Sequence, residues 1–312
     1  MKHPPSLSSE TERWFPNLFI PGAGKSGTTT LHYCLSQHPA IYMAKDKEPN
    51  FFNNDRTFLL LDEYYRPLFE KGIGYPYRGE ASGAYMSSAK AIERIKKWSH
   101  APVFIFILRN PVDRAISHYY YQQGRGLEQR EFSISFQESM DILPDEDTFS
   151  PAYYAEGCYG RWLQNYFDTF GEKNIHIITT EALKNQPQEV VNSCFSFLKV
   201  SPLPGLVIPV LNQTTVLKNP RVYKNTIELL SDKRSGMLKS WYQKTFSDRS
   251  RIAIRRGLMR LLEFSKDNLL ASQKPTVVDE ATRAWVADFY REDVQHLKKL
   301  TNHSFYAWKE FC

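Results

Sequence analysis

Leu18-Phe19-Ile20-Pro21-Gly22-Ala23-Gly24-Lys25-Ser26-Gly27-Thr28-Thr29 is the stretch on which the fold turns. Three apolar residues ended by Pro-Gly read as a strand running into a small-residue loop. From Thr28 to Gln37, Leu31 and Leu35 lie four apart on one helical face, and His38-Pro39 stops the helix. Strand, glycine loop and helix in that order open a βα unit. Such a loop leaves backbone N–H groups at a helix N-terminus open to a phosphate, and Lys25 adds a point charge. It is not the loop of nucleoside-triphosphate enzymes. GxxxxGK(S/T) ending at Ser26 requires glycine at position 19, where Phe19 stands, and here the lysine precedes the last glycine.

The second decisive stretch is Val103-Phe104-Ile105-Phe106-Ile107-Leu108, continuously apolar, the pattern of a parallel strand buried on both faces. It ends in Arg109-Asn110-Pro111, and Val112 to Gln123 reads as the following helix. Arginine at the carboxyl end of such a strand points into the crevice where open α/β sheets bind ligands. Ser117, eight residues on, falls about two turns into the helix. The pair offers a bidentate cation and a hydroxyl for a second phosphate. Mg²⁺-dependent phosphoryl transfer asks for an acidic strand end. With arginine there instead, the expected site holds an anion and no metal.

Outward from these stretches, Asp62–Glu70, Ser88–Trp98, Gly160–Phe170, Val190–Leu198 and Asp279–Leu300 carry helical spacing, and Asn174–Thr180 reads as a third strand. Helices alternating with short apolar strands mean α/β. The expected architecture is a P-loop-like three-layer fold, a central mostly parallel sheet flanked by helices, with a helical C-terminal portion. Residues 1–16, polar and Pro-rich, read as a flexible leader, and 17–312 as one domain with a basic, divergent helical segment over 217–274. The 42% hydrophobic and 24% charged composition excludes a disordered or coiled-coil chain. With no apolar run near 20 residues and no apolar segment after Met1, neither a membrane span nor a secretory signal is expected. Cys34, Cys158, Cys194 and Cys312 show no metal-ligand spacing and read as free thiols of a cytoplasmic protein. Charge is uneven: Lys218 to Arg260 holds twelve Lys+Arg against three Asp+Glu. That excess suits an anionic partner, or simply a solvated helical face.

At both motifs the chain resembles the sulfotransferases that use 3′-phosphoadenosine 5′-phosphosulfate (PAPS). Lys25-Ser26-Gly27-Thr28-Thr29 is similar to that family's 5′-phosphosulfate loop, and Arg109 to Ser117 to its 3′-phosphate motif. Lys47-Glu48-Pro49-Asn50-Phe51-Phe52 is similar to a segment of the carbohydrate, heparan-sulfate-type members, whose Glu before Phe-Phe is the catalytic base. Here Ala81 and Asn50 stand where that group usually has Lys and often His. The resemblance implies Lys25 and Glu48 as catalytic residues, and donor contacts from Gly24 to Thr29, Arg109 and Ser117. It also places Tyr159 on a helix near the donor. Lys218 and Arg221 are candidates to close over the 3′-phosphate from a C-terminal loop.

The implied reaction is in-line transfer of the sulfuryl group from PAPS, leaving 3′,5′-ADP, to a hydroxyl or amine of a saccharide or another polar small molecule. Two readings compete with it: a nucleoside-triphosphate-dependent P-loop kinase, and an anion- or nucleic-acid-binding protein using the 218–260 segment. Neither a nucleic-acid partner nor a metal is expected, and the oligomeric state is not legible.

Overall fold

The computed structural model describes residues 13–144, 151–209 and 277–312, with isolated positions between 216 and 271. Its centre is a five-stranded sheet: β1 (Leu18–Ile20), β2 (Ile41–Met43), β3 (Tyr77–Ala81), β4 (Val103–Leu108) and β5 (Ile175–Thr179), in the order β2-β3-β1-β4-β5. Every pairing in it is parallel, with Leu18 beside both Gly79 and Val103. β1 is central, and the chain leaves it for β2 on one side while β3 crosses it to reach β4. A crevice opens at the carboxyl ends of the strands at such a reversal.

The two faces of the sheet bury different chemistry. Along β4, Ile105 and Ile107 join Leu18 and Ile20 of β1 in an aliphatic layer with Leu31 and Leu35 of α1 (Thr28–Ser36). Phe104 and Phe106 join Phe19 on the other face, in an aromatic layer. That layer contains α2 (Ala89–Trp98), α3 (Pro111–Gln123), α4 (Tyr159–Phe170) and α7 (Glu280–Thr301). The aliphatic face is closed by α1 and α6 (Pro187–Phe197), the latter following α5 (Thr180–Asn185). Alternate side chains of one strand point to opposite faces, so a β4 with no polar residue matches a sheet covered on both sides.

The expected helices fall within a few residues of these bounds, except that Asp62–Glu70 is an irregular succession of single turns. The sequence reading missed β2 and β3. β3 reads Tyr-Arg-Gly-Glu-Ala, and its buried Glu80 looks unlike a strand interior until the partners of that carboxylate are known. Trp14 and Phe15, inside the stretch expected to be leader, are instead in the aromatic core, where Phe15 packs on Phe52, Tyr65 and Trp98. Two large rings so near the start bury more apolar area than the surrounding Pro and Ser suggest. Among the described residues, no helix is long and apolar enough to cross a membrane.

α4 meets α7 very closely. A Cβ on Gly160 would stand 2.6 Å from the Asp293 carbonyl oxygen, so only glycine fits there. Asp293 accepts from the N–H groups of Gly160 and Arg161 at 2.8 and 2.9 Å, capping α4 from the neighbouring helix.

Candidate active site

The loop after β1 ends at Gly27, whose φ of 100° is open to glycine but costly for other residues, and which begins α1 without a side-chain cap. The first turn of α1 therefore presents N–H groups and the positive end of its dipole at the crevice. Ser26 Oγ is buried and makes no hydrogen bond of ordinary geometry within the described chain; burial holds the nearby Tyr159 phenol well above its usual range, with Arg114 and Ser26 pulling the other way. A buried polar atom in that state is open to a ligand.

β4 delivers Arg109 against this loop. Its Nη1 donates to the Lys25 carbonyl oxygen at 3.3 Å, and its own carbonyl accepts from the Tyr159 hydroxyl at 3.0 Å. The turn that follows is clamped from several sides. Asn110 caps α3 through Val112 N–H, while its backbone N–H donates to Glu181 and its amide to Glu310. Ser117 lies in the second turn of α3, half-buried. Among the described residues, Arg109 and Ser117 are not hydrogen-bonded to one another.

Glu48 arrives from the other side of β1. Its Oε2 accepts from Gly83 N–H at 2.9 Å and its Oε1 lies 3.2 Å from Lys47 Nζ. A Cβ on Gly83 would sit 3.4 Å from the Gly24 Cα and 3.7 Å from Glu48 Oε1, which brings the carboxylate to the anion loop. Lys25, Glu48 and Asn50 all have φ between 49° and 66°. Left-handed backbone at three non-glycine residues of one crevice is strain that the surrounding contacts must hold.

Those contacts surround Glu48. Glu48 N–H donates to the Ala81 carbonyl, and the Pro49 carbonyl accepts from Tyr64. Asn50 N–H donates to Ser82 Oγ, and the N–H groups of Phe51 and Phe52 donate to the Tyr85 hydroxyl at 2.8 and 3.1 Å. Ser82 and Tyr85 in turn donate to Glu80, at 2.7 and 3.1 Å, as does Tyr65 at 2.5 Å. Glu80 is thus the anchor of the whole 48–52 loop. Burial pushes its carboxyl up to about 7, against the pull of these three hydroxyl donors. A folded-state value above the ordinary 4.5 favours the fold while the group is protonated, and that advantage is lost as pH rises through about 7. The shift corresponds to on the order of 3 kcal/mol across the window. Thermal unfolding of the wild type should weaken from pH 5 to pH 8, with a visibly flatter profile for Glu80→Gln. Parallel profiles would remove Glu80 as the source.

Several neighbours escaped the sequence reading. Arg114 is fully buried, its Nη1 3.0 Å from Glu156 Oε2 and its Nη2 donating to the Tyr153 carbonyl. Glu156 lies 3.9 Å from where a Cβ on Gly24 would be, a second carboxylate beside the loop. His118 Nδ1 is 3.5 Å from Glu156, and burial, then the charges of Arg114 and Lys25, holds this imidazole well below its usual range. Arg114 stands inside the Arg109–Ser117 motif and His118 directly after it, but nothing local marks Glu156 as their partner. Tyr119, Tyr120 and Tyr153 are core residues. Lys218 and Arg221 lie outside the described residues. Among those described, no three His, Cys, Asp or Glu residues are arranged to hold a metal ion.

Residues 15–262 match the sulfotransferase domain family model. The chain belongs to that family. The sulfotransferase chain is 29% identical over 189 residues to mouse heparan sulfate glucosamine 3-O-sulfotransferase 5, covering 60% of this chain and 54% of that protein. It is 24% identical over 302 residues to bovine bifunctional heparan sulfate N-deacetylase/N-sulfotransferase 2, covering 91% of this chain and 29% of that protein. It therefore spans about half, or less, of the length of these curated relatives. A sulfotransferase from Alicyclobacillus acidocaldarius shares its fold, with a TM-score of 0.66 at 24% identity over 95% of this chain and 99% of that one. The triphosphate-kinase reading is not favoured.

Proposed function

We propose that this chain moves the sulfuryl group of PAPS to a hydroxyl or amine of a polar acceptor, a saccharide being the class that its relatives' names suggest. The observation that carries the reading is the convergence at one loop of an uncapped helix start, an unpartnered buried Ser26 hydroxyl and Arg109. These groups fit a ligand with two separated anionic ends. In this reading the N–H groups of Gly24 to Thr29 and the Lys25 ammonium hold the 5′ end, where charge develops on the leaving oxygen. Arg109 and Ser117 hold the 3′-phosphate, and Tyr159 fixes the Arg109 backbone. Glu48 takes the acceptor proton as the new S–O or S–N bond forms and the bond from sulfur to the phosphate oxygen breaks. Lys218 and Arg221 remain proposed as a closing pair. We take the chain from Trp14 onward as one domain, a reading supported by Trp14, Phe15, Phe19 of β1 and the C-terminal Trp308 sharing one core.

Thermal unfolding with 3′,5′-ADP and with Mg²⁺·ADP tests the donor site. At 100 times its dissociation constant a ligand adds about 2.7 kcal/mol, which is several degrees for a domain of this size. The expected result is a shift with 3′,5′-ADP without added metal. A shift with Mg²⁺·ADP alone would reinstate the kinase.

A further inference from the structure

Lys25 leaves the anion loop with its ammonium 4.1 Å from the centroid of the Tyr121 ring. The same ring carries a second cation, since Arg125 Cζ lies 3.4 Å from the centroid. Tyr121 is in the last turn of α3, the helix that follows Arg109, and Arg125 stands just beyond its end, buried. Arg125 Nη1 also donates to the Tyr121 carbonyl at 3.3 Å, so guanidinium, ring and backbone form one unit.

Lysine is a compact charge on a flexible four-carbon stem, and the loop backbone alone does not decide where its ammonium rests. Arginine is planar, and at 3.4 Å its guanidinium stacks on the ring and fixes the ring plane. An aromatic face attracts an ammonium through its quadrupole without cancelling the charge, as a carboxylate would. Glu156 stands beside Gly24, next to Lys25 in the chain, and Glu48 beside Gly83, which packs on Gly24, so a competing anion is near.

We propose that Tyr121 is a positioning residue for Lys25: Arg125 sets the ring, and the ring holds the ammonium beside the loop with its charge intact. The inference rests on the reading of that loop as the donor site. It separates two roles on α3, with the start of the helix serving one end of the donor and its last turn steering the cation for the other. Tyr121 itself need not touch the donor. The feature required is the ring face, so phenylalanine should serve and an aliphatic side chain should not.

Calorimetric titration with 3′,5′-ADP of the wild type, Tyr121→Phe, Tyr121→Leu, Lys25→Met and the Lys25→Met/Tyr121→Leu double variant tests this. Tyr121→Phe is expected within about 2-fold of the wild type and Tyr121→Leu about 5–10-fold weaker. In the Lys25→Met background Tyr121→Leu should add less than about 2-fold, because the two residues then act as one unit. The assignment is overturned if Tyr121→Leu binds as the wild type or more tightly, or if Phe loses as much as Leu. It is also overturned if Leu costs the same with and without Lys25, which would mean packing and not steering. Should Tyr121→Leu fail to unfold cooperatively, Tyr121→Gln replaces it. A wild type that does not bind 3′,5′-ADP would bring down the donor-site reading and this inference together. Binding with an additive cycle removes only Tyr121.

Discussion

Glu48→Gln is expected to bind 3′,5′-ADP as the wild type does and to transfer sulfuryl groups about 10²–10⁴ times more slowly, the contribution typical of a positioned general base. The amide keeps the shape of the carboxylate, and its oxygen still accepts from Gly83 N–H. The loop is held through the backbone groups of residues 48–52, so the substitution leaves its anchors in place. What the amide lacks is a site for the acceptor's proton. The measurement is turnover of PAPS with a polar acceptor that the wild type sulfates, beside a 3′,5′-ADP titration. Undiminished turnover would take Glu48 out of the role, and lost 3′,5′-ADP binding would make it a structural residue of the donor site.

The second large effect is on stability. Arg114→Met removes a fully buried guanidinium and leaves Glu156 facing Gly24 with His118 beside it. Breaking a buried ion pair from one side costs about 3–5 kcal/mol, because the remaining charge has lost its partner. The Tyr153 carbonyl loses one of its two donors as well, keeping the Tyr290 hydroxyl. For a domain of this size the midpoint of thermal unfolding should fall by roughly 10 °C. Removing the stranded charge as well, in Arg114→Met/Glu156→Gln, should recover part of the loss. A midpoint within a degree or two of the wild type would show that the pair contributes little.

The glycine loop after β1 and the Arg109 turn were legible because their signals are local. Glycine spacing, a lysine and an uncapped helix start lie within a dozen residues, and an unbroken apolar run shows that β4 is covered on both faces. The α/β class and most helices followed from periodicity for the same reason. β3 was not legible, since Glu80 is tolerable in a strand only when Tyr65, Ser82 and Tyr85 converge on it. The pairing of Arg114 with Glu156 and of Lys25 with Tyr121 joins residues far apart in the chain, through side chains that read in isolation as surface charge or core aromatics. Local spacing and backbone conformation thus specify the class of fold and the turns that follow β1 and β4, because both are encoded within short segments. Only the tertiary structure decided the strand order, the anchoring of the 48–52 loop and the company each charge keeps, because burial and pairing are properties of segments brought together and not of any one of them.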